Sequence, residues 1–161
     1  MAVTAKISGG DKLQKRLEEI LKQAQNSQLV NVGFLEGATY PDGTPVAQVA
    51  AINEYGREVR SKEGNYYQLP RPFFRGMIAN KKSGWGKSLG NLLKSNNYDA
   101  HKALALMGYG IGGQLQESIQ QLTSPPLAES TIKAKGGTAT AAKPLIDTGH
   151  MFQSVDFEVK T

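Results

Sequence analysis

The chain contains no cysteine. That excludes a disulfide framework, a thiolate zinc site and a cysteine nucleophile. Two histidines are too few to expect a histidine-rich metal site, and no cofactor is expected. No apolar run approaches the roughly 18 residues of a membrane-crossing helix, so no membrane partner is expected. The opening Met-Ala-Val-Thr-Ala-Lys-Ile-Ser-Gly-Gly lacks the apolar centre of a secretory signal, which points to a protein made and kept in a cytoplasm. Apolar content is 39% and charged content 20%, slightly low for a compact globule.

What is present is one domain's length, 161 residues, with 18 glycines. That combination implies a modest core and long loops. The net charge of +5 is unevenly placed. From Arg57 to Lys94 there are nine Lys/Arg (57, 60, 62, 71, 75, 81, 82, 87, 94) against Glu58 and Glu63, a local +7, so the rest of the chain sums to −2. Such a block implies an anionic neighbour, either nucleic acid or an acidic face of another subunit. A solvated helix face is the plainer reading.

Periodicity organises the rest. Asp11 is placed to cap a helix over 11–25, with Gln14 as capping-box partner and Leu13, Leu17, Ile20, Leu21 and Ala24 as its apolar stripe. Leu29–Leu35 reads as a strand in which Gly33 marks a bulge or a close approach. Pro41-Asp42-Gly43 is a turn. Thr44 then caps, Pro45 opens and Gly56 stops a short helix over Val46–Tyr55. Its alanines permit a near neighbour.

Residues 57–69 are expected to form a protruding hairpin or a loop ordered on contact, tipped by Lys62–Asn65. Pro70 and Pro72 hold Arg71 extended. Pro72 starts a helix over 72–95, which Gly84-Trp85-Gly86 should interrupt or bend. Asp99 caps a helix over 99–122 carrying Leu104, Met107, Ile111, Leu115, Ile119 and Leu122. A short helix through Leu127 and Ile132 follows, then a low-complexity loop at 136–142. Asp147 is expected to cap a single turn. Ser154–Lys160 alternates as a half-exposed strand and is expected to pair with Leu29–Leu35. The expectation is a single α+β domain: a small antiparallel sheet (strands near 29–35 and 154–160, possible hairpin 57–69) packed against three or four helices.

The reactive-looking constellations are thin. Gly108-Tyr-Gly110-Ile-Gly112-Gly113 matches G-x-G-x-x-G but lies inside a helix, without the preceding strand that a dinucleotide site needs. Small residues for close helix–helix contact, or a flexible helix, explain it better. Asp147, Thr148, His150 and Ser154 lack an evident nucleophile–base pair. Glu36, Asp42 and Glu54 are carboxylates of the kind glycosidases pair, but any chain offers such a set. No catalytic residue is assigned. Tyr66, Tyr67, Phe73 and Phe74 interleave with Arg57, Arg60, Arg71 and Arg75, the mixture single-stranded nucleic-acid binders use. Phe73 and Phe74 are more simply core.

Four segments in order carry a resemblance. They are Val-Ala-Gln-Val-Ala-Ala-Ile-Asn-Glu-Tyr-Gly, Pro-Arg-Pro-Phe-Phe-Arg, Ser-Pro-Pro-Leu-Ala-Glu-Ser-Thr-Ile-Lys-Ala-Lys-Gly and Lys-Pro-Leu-Ile-Asp-Thr-Gly. Together, over residues 44–155, they resemble the tail-completion or neck family of tailed bacteriophages, virion morphogenesis proteins of the head–tail junction. The resemblance implies a structural protein rather than an enzyme, made in a host bacterium and carried in the virion neck or tail. It also implies several copies in a ring around the DNA channel. The implied partners are other copies, connector, terminator or tail-tube proteins, and the DNA passing through. Arg57, Arg60, Lys62, Tyr66, Tyr67, Arg71 and Arg75 are the expected interface or channel residues. Tyr55, Gly56, Pro70, Pro72, Phe73, Phe74, Leu145, Asp147 and Gly149 are the expected architectural set. A nucleic-acid-binding protein using residues 57–94, and a tail terminator or other minor tail component, remain the alternatives.

Overall fold

A computed structural model of the chain describes residues 10–24, 29–60, 64–137 and 143–160. It is an α+β fold whose described residues form, in order, α1 (Gly10–Ala24), β1 (Leu29–Phe34), α2 (Val46–Tyr55), β2 (Arg57–Val59), β3 (Tyr66–Gln68), α3 (Phe73–Ser95), α4 (Ala100–Gln121), α5 (Glu129–Ala134), α6 (His150–Gln153) and β4 (Val155–Lys160). β1 and β4 pair antiparallel from Leu29↔Lys160 to Phe34↔Val155, as their shared alternation predicts. β2 and β3 form a separate hairpin in the register Arg57↔Gln68 to Val59↔Tyr66. Lys62 and the other residues of 61–63 lie outside the described residues, as do 138–142 of the glycine-rich loop.

α4 lies directly on the β1–β4 sheet, α3 packs along α4, and α2 bridges β1 and α3. The core gathers where these meet: Val46 and Ala50 of α2, Phe73 and Met77 of α3, Leu115 and Ile119 of α4, with Leu145 and Met151 closing one end. Asp99 caps α4 as expected, its carboxylate accepting the Lys102 N–H at 2.9 Å.

Several local expectations are corrected. α3 runs unbroken through Gly84-Trp85-Gly86, because the Trp85 Nε1–H donates to Gln114 Oε1 at 2.9 Å and ties that stretch to α4. Gly108 serves a helix–sheet contact, not a helix–helix one. A Cβ there would stand 2.6 Å from the Phe157 ring and 2.8 Å from Val30. α2 spans Val46–Tyr55, but Thr44 does not cap it. Pro45 occupies the N-cap, while the Thr44 N–H is held by Asp42 Oδ1 at 2.9 Å. α1 begins at Gly10, so Asp11 sits within its first turn, and Gln14 donates to Glu18 four residues on at 3.2 Å instead of closing a capping box. α1 rests against α4 and not against the sheet, with Leu13, Leu17 and Leu21 exposed. Gly33 carries no bulge, since the register is continuous. The Phe74 ring comes within 3.4 Å of where its Cβ would be.

Candidate assembly surface

The Glu54–Arg75 stretch is built as a clasp supporting an arm. α3 starts without a side-chain cap of its own, since Pro72 occupies the N-cap. Its first amide hydrogens would be left without partners. Glu54, from the last turn of α2, supplies the cap. Its Oε2 accepts from the Phe74 N–H at 2.9 Å and its Oε1 from the Arg75 N–H at 3.1 Å. Arg75 closes the arrangement: its Nε donates to Glu54 Oε1 at 2.7 Å and its Nη2 to the Glu54 carbonyl at 3.1 Å. The same guanidinium stands 4.8 Å from the centre of the Tyr55 ring, a cation–π contact. Glu54 is only 4% exposed, so the carboxylate is fully committed to joining two helices.

Gly56 turns the chain out of this clasp. Its φ of 75° and ψ of 174° lie in a region open essentially to glycine. A Cβ would meet the Gln68 carbonyl at 2.4 Å, the Tyr67 hydroxyl at 3.0 Å and Pro70 N at 3.1 Å. The hairpin that follows is tied back at its base. Tyr67 Oη donates to the Tyr55 carbonyl at 3.2 Å. Asn53 is the hub: its Oδ1 accepts from Gln68 Nε2 at 3.3 Å and its carbonyl accepts the Arg71 N–H at 2.7 Å. Nothing in the sequence marks Asn53, because its partners are far along the chain and become neighbours only when the hairpin forms.

The expected interface residues therefore separate. Arg57, Arg60, Tyr66 and Tyr67 stand exposed on the hairpin. Arg75 is exposed too, but its guanidinium is spent on Glu54 and Tyr55. Arg71 is 8% exposed, and among the described residues its Nε has no hydrogen-bond partner. Burial pulls its pKa below the usual arginine value. Of the architectural set, Phe73 and Leu145 are buried in the core, Phe74 packs against it and Pro70 is half-buried. Pro72 and Tyr55 are exposed.

The Lys-Pro-Leu-Ile-Asp-Thr-Gly segment lines the far side of α2. Lys135, at the end of α5, pins it by donating from Nζ to the carbonyls of Lys143 and Ile146. Gly149 takes the left-handed conformation that starts α6. Asp147 does not cap this turn; Thr148 Oγ1 accepts the His150 N–H at 3.3 Å. Asp147 instead lines an open depression of about 570 Å³ together with Tyr40, Asp42 and His150. Partial burial, then Asp147, then Asp42 push the Tyr40 phenol above its usual range. The Thr44 amide holds Asp42 below the ordinary carboxylate range.

Chemically this part of the molecule is occupied. His150 Nε2 donates to the Thr39 carbonyl at 2.8 Å, while Ser154 Oγ donates to the His150 carbonyl at 2.8 Å, so the imidazole does not activate the hydroxyl. Glu36, Asp42 and Glu54 line three different depressions and form no pair. Among the described residues, no group of three or more His, Cys, Asp or Glu is placed to hold a metal ion, and no helix is long and apolar enough to cross a membrane. In comparisons with protein-family models, curated proteins and solved structures, the chain finds no match.

Proposed function

We propose that the chain is a structural virion protein of a tailed bacteriophage, acting at the head–tail junction as a tail-completion or neck part in several copies around the DNA channel. One observation carries this reading. The residues that bear the resemblance serve to fix two helices and present an arm: Glu54 caps α3, Gly56 turns the chain outward, and the hairpin offers Arg57, Arg60, Tyr66 and Tyr67 to a neighbour. A docking part needs rigid presentation and no reactive group. The expected neighbours are further copies, connector, terminator or tail-tube proteins, and the passing DNA. A tail terminator or other minor tail component is the nearest related role, since it would use the same arm.

A free nucleic-acid-binding role for residues 57–94 has less support. Lys81, Lys82, Lys87 and Lys94 are all exposed on α3, but at about 100° per residue only Lys87 and Lys94 share a side, and Lys81 and Lys82 each fall elsewhere around the helix, so the four do not make one phosphate-tracking stripe. If that role held, the isolated chain would bind DNA with a steep salt dependence.

The test is the pair Arg57→Glu, Arg60→Glu supplied in place of the natural chain during phage growth. Both side chains are exposed, so the purified variant should melt within a few degrees of the parent. Infectious yield should collapse, with unjoined heads and tails or misfinished tails in micrographs. Normal particles from that variant would overturn the proposal.

A further inference from the structure

The sequence holds one Asp-Gly pair, Asp42-Gly43, and no Asn-Gly pair. An Asp-Gly pair is where a chain most readily rearranges its own backbone. The amide nitrogen of the following residue attacks the side-chain carboxyl carbon, water leaves, and a cyclic imide forms. Water then reopens the ring at either carbonyl, restoring aspartate or rerouting the backbone through the side chain. Glycine favours the attack because it has no Cβ to shield its nitrogen. Asp42 and Gly43 are both exposed, so burial protects neither.

The turn around the pair is closed by hydrogen bonds. The Gly43 N–H donates to the Tyr40 carbonyl at 2.9 Å, which commits the attacking nitrogen. Asp42 Oδ1 accepts the Thr44 N–H at 2.9 Å, which ties the carboxylate to the residue beyond Gly43. The Thr44 amide also keeps that group ionised to lower pH, and a carboxylate is a poorer target for a nitrogen nucleophile than the neutral acid. The frame outside these bonds is fixed as well. The Tyr40 N–H donates to the Thr44 carbonyl at 2.8 Å, the Val46 N–H to the Ala38 carbonyl at 2.9 Å, and Thr39 bridges to Pro45. His150 Nε2 holds the Thr39 carbonyl at 2.8 Å.

We infer that Asp42-Gly43 is a latched isomerisation site, the chain's readiest point of spontaneous modification, held off by the turn's hydrogen bonds while the chain is folded. This goes beyond the assembly reading and does not depend on it. The lesion falls at a sensitive place. Reopening the ring the wrong way inserts a methylene into the backbone between Ala38 and Val46, and the bonds that join those two residues cannot close over it unchanged. Val46 begins α2, whose far end carries Glu54 and leads into Gly56, so damage at Asp42 loosens the start of the helix that supports the arm.

Storage in warm, mildly acidic buffer tests the latch. The full chain and a free peptide spanning residues 39–46 would be sampled over time. Isoaspartate would be read with an isoaspartate-specific methyltransferase, on the tryptic fragment holding Asp42 for the chain. Both hydrogen bonds must break before attack, so at about 1 kcal/mol each they should slow the folded chain about thirtyfold against the peptide. The full chain carrying Asp42→Asn, with its matching peptide, is the second arm. Its side chain is uncharged and still offers an oxygen to the Thr44 N–H, so loss of ammonia should also be much slower in the folded variant than in the peptide. Equal rates in chain and peptide overturn the latch. Protection of the natural chain but not of Asp42→Asn assigns the effect to ionisation and overturns the role of the turn. A peptide that stays intact overturns the site itself.

Discussion

Glu54 shows how much one side chain settles. A glutamate at the end of an apolar helix reads in sequence as a surface charge or a stray acid. In the fold it is buried and serves two amides and a guanidinium. Removing it leaves two amides at the start of α3 and a half-exposed guanidinium without their shared acceptor, so Glu54→Ala should cost about 2 kcal/mol in urea unfolding. Glu54→Gln keeps one acceptor and should cost about half of that. A loss within error for the alanine variant would mean that water replaces the cap. Arg71 is the opposite case, a buried cation whose Nε lacks a partner among the described residues. Arg71→Met keeps its volume and removes the desolvation cost, so its melting temperature should match or exceed the parent's. A clear drop would reveal a favourable partner for the guanidinium.

Asp42 gives a pH signature of known sign. Its folded pKa is lowered by the Thr44 amide. Its contribution is therefore complete above the unfolded carboxylate value of about 3.9 and is lost as pH falls through the lower folded value. Asp42→Asn should flatten stability against pH in that acid window and leave the slope near neutrality unchanged.

Among the elements, α4 shows where periodicity suffices and where it stops. Its stripe of Met107, Leu115 and Ile119 is buried as the spacing requires, and its cap is Asp99. The glycines within it look alike in sequence and differ in space. Gly108 presses on Phe157 and Val30, while a Cβ at Gly110 would meet nothing within 4 Å. Gly108→Ala should therefore destabilise by about 1–3 kcal/mol through overpacking. Gly110→Ala should stabilise by about 0.5–1 kcal/mol, because alanine restricts the unfolded chain. Equal effects in chemical denaturation would contradict the placement of α4 on the sheet. α3 makes a related point. Its two glycines flanking Trp85 weaken the helix locally, but the Trp85–Gln114 bond and the packing along α4 accompany an unbroken helix.

For the whole molecule, charge and shape separate into two kinds of surface. One is polar and aromatic, the hairpin with Arg57, Arg60, Tyr66 and Tyr67; the other is apolar, the α1 stripe and the α2–α3 groove. The basic segment's +7 is then thinned by the fold. Arg75 is spent internally and Arg71 is buried, which leaves the hairpin arginines as its most forward charges.

Local chemistry was readable in advance wherever cause and effect lie within a few residues. The α2 span, the Asp99 cap, the Gly56 stop and the alternation of β1 and β4 follow from period, capping and steric permission. The α+β class followed from counting those pieces. Packing decided the rest, because its partners are distant in sequence. It bound Glu54 to the start of α3 across 20 residues, aimed Gly108 at the sheet and moved Asp147 from a cap to the rim of a depression. It also left α1's leucines uncovered. Leucines at helical spacing state that one face of α1 seeks cover, while only the arrangement of the remaining elements determines whether the chain itself supplies it.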